Sequence, residues 1–152
     1  MALGKWFGGK SSAGGAKAEP PRAYDVTKPD ADWRRELTAE QYRVLREHGT
    51  ERPFTSPLNK EKRGGMFHCA GCGRDVFAAE AKFDSGTGWP SFYAPVDGGV
   101  GTSEDNSFLM RRTEVHCARC GGHLGHVFED GPEPTGLRYC INGAALGFKA
   151  KS

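Results

Sequence analysis

Two short cysteine motifs of the same form constrain this chain more than any other feature of its sequence. Cys69 and Cys72 stand in HCAGCG, and Cys117 and Cys120 stand in HCARCG. Two intervening residues allow both thiolates of a pair to reach one ion at about 2.3 Å, and the following glycine permits the tight turn. Four thiolates form the tetrahedral set that zinc prefers, so the sequence predicts one structural zinc ion.

The two motifs are far apart in the chain. The segment between them, residues 73–116, is 44 residues long, whereas a compact zinc ribbon spaces its pairs by roughly 15–20 residues. The metal is therefore expected to join two distant hairpins. Iron in the same site, redox-active disulfides, and His68 or His116 as substitute ligands are the alternatives. The disulfide alternative fits less well, because a thioredoxin-like Cys-x-x-Cys opens a helix and these pairs lie in strand-like sequence.

The chain divides into a tail and one domain. Residues 1–22 are rich in Gly, Ser, Ala, Lys and Pro and offer little to bury, which predicts a flexible N-terminal tail. Residues 23–152 are of the length of a single domain. No apolar run reaches the roughly 20 residues of a membrane helix, and the N-terminus lacks the apolar core of a secretory signal. We therefore expect a cytoplasmic protein without membrane contact.

The charge is nearly balanced. Lys and Arg number 21 and Asp and Glu number 19, for a formal net charge of +2. A nucleic-acid-binding zinc ribbon would need a basic stripe, and Arg111, Arg112 and the lysines of the tail are too few to form one. The composition therefore argues against a nucleic-acid partner.

The pattern of elements predicts a mainly β fold. Segment 32–54 contains a helix with Thr38 as N-cap, Gln41 as its capping-box partner and Gly49 as its stop, while His48 is expected to be a solvated residue at the helix end. Beyond Pro57, strands are predicted at residues 65–69, 75–79, 89–96, 107–117, 123–128, 137–141 and 146–149. Loops are predicted at residues 96–107 and 129–136. The result is an antiparallel β domain with a helical N-terminal arm.

The fifth cysteine, Cys140 in GLRYCINGAAL, has no partner in this scheme. A buried free cysteine is the plain alternative, because Cys packs like a small hydrophobe. Arg138 and Asn142 would share a strand face with it, and both can favour the nucleophilic thiolate. Upstream, His123 and His126 in HLGHVF could supply protons near neutral pH. The set indicates a cysteine nucleophile with protonating imidazoles.

An aromatic pair completes the candidate site. Trp89 and Phe92 lie on the Gly- and Pro-rich segment SGTGWPSFY, which suits the wall of an apolar pocket. Each is also compatible with an ordinary position in the core.

Taken together, these motifs resemble the methionine-R-sulfoxide reductases of the B class. The resemblance rests on TERPFTSPL, CAGCG, FDSGTGWPSFY and CARCGGHLGHVFEDGPEPTGLRYCINGAAL and runs from about Trp33 to Phe148. It implies two antiparallel β-sheets with short peripheral helices, clipped by structural zinc on the four cysteines. It also implies reduction of the R epimer of methionine sulfoxide, free or in proteins, to methionine.

The resemblance assigns roles by motif position. Cys140 is the nucleophile that becomes a sulfenic acid, and His123 and His126 bind and protonate the sulfoxide oxygen. Asn142 assists them, Trp89 packs on the substrate methyl group, and Arg138 positions the site. Thioredoxin or another external thiol would recycle the enzyme, which we expect to be a monomer.

Two positions depart from the family pattern. Thr87 stands where many members carry a resolving cysteine, so the sulfenic acid is expected to be reduced directly by an external thiol. Gly143 replaces a frequent serine, to which we attach no function. Two further alternatives remain: a non-catalytic zinc-clipped binding module, and a second metal site formed by His123, His126 and Cys140.

Overall fold

The computed structural model describes residues 24–151, without the side chain of Phe108. The predicted tail, residues 1–22, lies outside the described residues. Within the described part of the chain, no helix is both long and apolar enough to cross a bilayer.

Segment 32–54, for which the sequence predicted one helix, and the residues just before it contain two short helices, which form the described part of the N-terminal arm. They are α1 (Asp30–Glu36) and α2 (Ala39–Glu47). Thr38 caps α2, and its side chain and that of Gln41 complete the predicted capping box. The helix ends at Glu47 because His48 takes the left-handed conformation, one residue before the predicted stop. Trp33 of α1 and Tyr42 and Leu45 of α2 are all buried and belong to the hydrophobic core.

Within residues 24–151, nine strands form two antiparallel sheets, which confirms the predicted fold class. The smaller sheet has the order β2-β1-β9 and the larger has the order β3-β4-β8-β7-β6-β5. The strands are β1 (Gly65–Cys69), β2 (Asp75–Ala78), β3 (Lys82–Phe83), β4 (Ser91–Phe92), β5 (Val100–Asp105), β6 (Arg112–Cys117), β7 (His123–Phe128), β8 (Arg138–Ile141) and β9 (Leu146–Ala150).

Three strand predictions were wrong in extent or kind. β5 lies within the predicted loop 96–107, because pairing with β6 orders a polar edge segment whose own propensity is low. β4 has two residues instead of eight, because Pro90 and Pro95 flank it and proline cannot donate to a ladder. The prediction for 107–117 also began too early: a 3₁₀ turn and the left-handed Leu109 precede β6.

The core lies between the two sheets and contains Phe92. Its ring stacks on Phe77 at 4.3 Å between centroids and meets Phe67 edge-on at 5.1 Å. Phe92 is 0% exposed. The expectation that it forms a pocket wall is therefore not met, because β4 turns this side chain into the aromatic cluster of the core.

Candidate active site and metal centre

The four motif cysteines meet at one point. The sulfurs of Cys69 and Cys120 are 3.7 Å apart and those of Cys72 and Cys117 are 3.5 Å apart, and all four lie within 4.8 Å of one another. A tetrahedral zinc site with 2.3 Å bonds has sulfur–sulfur edges of about 3.8 Å. The donor set therefore fits a tetrahedral metal ion.

The backbone around the cysteines suits thiolate ligands. N–H groups of Gly71, Arg119 and Gly122 donate to three of the sulfurs at 3.3–3.4 Å, which favours the charged form. Cys69 ends β1 of the smaller sheet and Cys117 ends β6 of the larger. A metal at this point would join the two sheets, as the long spacing between the motifs predicted.

A second group of polar side chains forms a row across the larger sheet. Strand pairing places Ser103 opposite Glu114, Glu114 opposite His126, His126 opposite Cys140, and Cys140 opposite Ser91. Residues directly opposite each other in antiparallel strands share a face. Cys140 therefore has His126 as its neighbour on β7, and the carboxylate of Glu114 lies one strand further, on β6.

A β-bulge brings His123 to the same region. Residues three apart in a regular strand point to opposite faces, which would separate His123 from His126. The pairing of β6 with β7 shifts register between Val115 and His116, and such a bulge re-aims the side chains beside it. The rings of His123 and His126 consequently lie 5.4 Å apart.

The Glu114 carboxylate contacts the polar groups around His123. It accepts hydrogen bonds from Ser103 Oγ at 2.7 Å and His123 Nδ1 at 2.8 Å, and His116 Nδ1 lies at 3.4 Å. Burial alone would raise the pKa of Glu114, but these hydrogen bonds lower it further than burial raises it. The carboxylate therefore stays charged and accepts only, which places the Nδ1 proton on His123 and leaves Nε2 free.

Asp105 holds His126 in the same manner. His126 Nε2 lies 2.8 Å from Asp105 Oδ2, and this bond, followed by that from the Ser107 N–H, lowers the pKa of Asp105. Burial lowers the pKa of His126, against the effect of Asp105. His126 is thus a neutral imidazole near pH 7 whose Nδ1 is the basic atom.

Cys140 is half-buried, and burial raises the pKa of its thiol. The hydrogen bond from Thr87 and the charge of Arg138 oppose this rise without overcoming it. Arg138 forms an ion pair with Asp130 at 2.9 Å. The carboxylate partly offsets the positive charge of Arg138, so that charge acts less on Cys140. Arg138 thus favours the thiolate as expected, but burial outweighs it and the pKa of the Cys140 thiol lies above its usual value.

Cys140 lines a cavity of about 110 Å³. This is well below the roughly 300–1,000 Å³ of sites for whole small molecules, so it has room for a single side chain. Trp89 forms one wall and is held by an indole N–H bond to the carbonyl of Glu51 at 3.0 Å. Asn142 forms another wall, with both amide atoms bonded to backbone groups of Glu51 and Leu124.

The predicted site residues divide between two adjoining spaces. Trp89, His126, Cys140 and Asn142 line the small cavity, whereas His123 lines a neighbouring cleft of about 600 Å³. Arg138 lies beside Cys140 but faces Asp130.

Several functional candidates were not predicted from the sequence. They are His48, Glu51, Asp105, Arg112 and Glu114. No local motif marks them, because only strand pairing and the end of α2 bring them to the site.

Two buried side-chain atoms among the described residues have no hydrogen-bond partner. They are Arg112 Nε and His123 Nε2. Both residues line the cleft, and Arg112 also lines the small cavity. Unpartnered buried polar atoms are rare in native proteins. They mark the place where polar atoms of a ligand would be bound.

The second metal site considered from sequence is not formed. In residues 24–151, the metal-capable groups are the four cysteines and a set of His48, Glu114 and His123. Neither includes Cys140 or His126. The Cys140 thiol therefore lies beside an imidazole without belonging to either of these sets.

Comparison with known proteins agrees with this arrangement. A half-buried thiol beside carboxylate-held imidazoles is an arrangement that suits a cysteine-dependent enzyme. Residues 37–150 match the SelR domain. Peptide methionine sulfoxide reductase MsrB of Leptospira interrogans is 58% identical over 127 residues, which cover 83% of this chain and 97% of that protein.

Two further relatives bear the same name. The protein of Agrobacterium fabrum is 57% identical over 82% of this chain and 93% of its own length. The protein of Methanosarcina mazei is 57% identical over 81% of this chain and 89% of its own length. The chain belongs to the methionine-R-sulfoxide reductases of the B class, a family of oxidoreductases.

Proposed function

We propose that this protein reduces the R epimer of methionine sulfoxide, in proteins or free, to methionine through Cys140. The observation that carries the proposal is the small cavity in which Trp89, His126 and Cys140 meet beside two buried, unpartnered nitrogen atoms. The names of the relatives support the substrate class.

The first step is activation of Cys140. Because the thiol has a raised pKa, a base has to take its proton, and neutral His126 is its direct neighbour across the strands. The thiolate sulfur then attacks the sulfoxide sulfur. Oxygen passes to Cys140 as a sulfenic acid, and methionine leaves.

The sulfoxide oxygen needs a proton, because it leaves sulfur poorly without one. We assign this proton to His126, which takes it from Cys140 and can pass it to the oxygen. His123 Nε2, the unpartnered nitrogen of a ring that Glu114 fixes through Nδ1, would accept a hydrogen bond from the protonated oxygen. Arg112 Nε is an unpartnered donor and would bind an oxygen of the substrate. Asn142 keeps the backbone of the site in place through its bonds to Glu51 and Leu124.

Selection of one epimer follows from fixing two substituents of the sulfur. Trp89 would pack on the methyl group in the cavity while the histidine side holds the oxygen. Swapping these two substituents would place oxygen against an aromatic face and methyl against a buried donor. The unmade hydrogen bond would cost about 1–3 kcal/mol.

The four-cysteine centre is proposed to hold one structural zinc ion. Four thiolates with no open position suit a structural site, and the ion would stabilise the junction of the two sheets. Elemental analysis should give one zinc per chain. Two ions per chain would instead point to metal at the histidine set.

The sulfenic acid is proposed to be reduced by an external thiol such as thioredoxin. Thr87, at the position of a resolving cysteine, lies with its hydroxyl 4.0 Å from the Cys140 sulfur, and the other four cysteines form the metal centre. The protein is proposed to act as a monomer in a reducing compartment such as the cytoplasm, which suits free thiols.

The test is turnover of R- and S-methionine sulfoxide with dithiothreitol, beside Cys140→Ser. Turnover of R alone, lost in the variant, is the expected result. No turnover by folded, zinc-loaded protein would overturn the proposal in favour of a non-catalytic binding module.

A further inference from the structure

Two walls of the cavity at Cys140 are bonded to the same residue, Glu51. The Glu51 N–H donates to Asn142 Oδ1 at 2.9 Å, and the Glu51 carbonyl accepts from Trp89 Nε1 at 3.0 Å. Trp89 precedes β4, and Asn142 follows β8, the strand that carries Cys140. The spacing between the two walls therefore depends on where the backbone of Glu51 lies.

The carboxylate of Glu51 fixes that backbone to the chain after Asn142. Oε2 accepts from the Gly143 N–H and Oε1 accepts from the Ala144 N–H, each at 2.8 Å. These N–H groups open a 3₁₀ turn, Gly143–Ala145, and the first N–H groups of a helical turn have no partner within it. Asn142 precedes the turn, but its side chain does not cap it. Glu51 is thus the cap of this turn, supplied from a distant part of the chain.

A carboxylate is a costly side chain at this place. Glu51 is 3% exposed, and burial raises its pKa against the effect of the two N–H bonds. Burying a charged group costs free energy that an apolar side chain would not cost. What the carboxylate supplies in return is two acceptor oxygens, one for each of two neighbouring N–H groups, whereas an amide has only one.

We propose that Glu51 is a positioning residue that holds Trp89 and Asn142 at the separation that fits the substrate methyl group and selects the R epimer. The inference rests on the proposed function. Glu51 acts through these other residues, because it lines a groove of about 550 Å³ that shares none of its described lining residues with the cavity at Cys140.

The isosteric change Glu51→Gln tests this role. Glutamine keeps the length of the side chain, but it has one acceptor oxygen, and its NH₂ group would face the second backbone N–H. The turn after Asn142 should then move away from residue 51, which changes the separation of the two walls. If Glu51 only stabilised the fold, the variant would lose stability while the folded protein kept the wild-type KM.

Glu40→Gln is the matched control, because Glu40 is exposed on α2 and lines the same groove as Glu51. Zinc-loaded proteins are assayed with R- and S-methionine sulfoxide and dithiothreitol, well below the Tm of each variant, and kcat and KM are determined separately. Exchange of the Trp89 indole N–H with water is measured by NMR without substrate, and Trp89→Phe identifies its resonance.

In Glu51→Gln, KM for the R epimer should rise about tenfold with kcat nearly unchanged, since a misplacement of about 1 Å in a site can cost up to about 10²-fold. The preference for R over S should fall, and the Trp89 indole N–H should exchange faster. Glu40→Gln should match the wild type in all three measurements. In a Trp89→Phe background, where the indole bond is already absent, Glu51→Gln should raise KM by a smaller factor.

A folded Glu51→Gln protein with wild-type KM and wild-type exchange of the indole N–H would overturn the inference, as would equal changes of KM in the two backgrounds. Glu51→Asp replaces it if the glutamine variant does not fold. Aspartate keeps both oxygens on a side chain one methylene shorter, so KM should again rise, and a wild-type KM would count against the role. Failure of the proposed function is distinguishable, because the wild type would then reduce neither epimer.

Discussion

Phe92 could be a core residue or a substrate-binding residue, and the two roles predict different effects of substitution by alanine. The side chain is fully buried, stacks on Phe77 and meets Phe67 edge-on. It contributes to no wall of the cavity at Cys140. Phe92→Ala should therefore lower stability while leaving recognition of the sulfoxide unchanged.

The magnitude follows from the packing. Phe→Ala in a core costs about 3–5 kcal/mol, and each aromatic pair adds about 0.5–1.5 kcal/mol beyond its buried area. With two pairs lost, Phe92 belongs in the upper part of that range, at about 4–5 kcal/mol. At roughly 2–4 °C per kcal/mol for a chain of this size, Tm should fall by about 8–20 °C.

The assay combines thermal unfolding with kinetics at 15 °C, where the variant remains folded. Trp89→Phe is the matched control, because it alters an aromatic residue of the cavity wall. That change removes the indole bond to Glu51, so Tm should fall by only about 2–4 °C while KM rises. A small loss of stability in Phe92→Ala together with a raised KM would refute the assignment of Phe92 to the core.

Three further outcomes are expected. Thr87→Cys places a thiol where a hydroxyl now lies 4.0 Å from the Cys140 sulfur, so one turnover without reductant should leave an internal disulfide by mass spectrometry; persistent sulfenic acid would contradict this. Because burial raises the pKa of Cys140, the rate of its alkylation by iodoacetamide should rise close to tenfold per pH unit between about pH 7 and 9. Arg138→Gln should lower this rate further at a fixed pH. A rate independent of pH would contradict the raised pKa. Gly143→Ser would place a Cβ 1.9 Å from Ser56 Oγ and cost about 1–3 kcal/mol in denaturant unfolding, which Ser56→Gly should restore; an unchanged stability in the single variant would contradict the clash.

The sequence predicts what local patterns encode. The capping box at Thr38, the strands around Phe67 and the two cysteine turns all depend on residues near each other in the chain, and the structure has them where they were expected. The polar strand β5 was missed, because its order comes from pairing with β6.

The site shows the same division. His126 and Cys140 are recognisable from their motifs, yet the groups that fix their protonation are not. Asp105 and Glu114 reach the histidines only through strand register, and His123 shares their face only through a bulge. The raised pKa of Cys140 also depends on burial, which a neighbouring arginine in the sequence could not disclose.

The most direct test of the account is the fate of the oxygen atom. Zinc-loaded protein is mixed with one equivalent of R-methionine sulfoxide without reductant, trapped with dimedone, and mapped by peptide mass spectrometry. We expect one equivalent of methionine, with dimedone on Cys140 alone, and neither product from the S epimer. Methionine formed without modification of Cys140, or modification at a metal-centre cysteine instead, would contradict it.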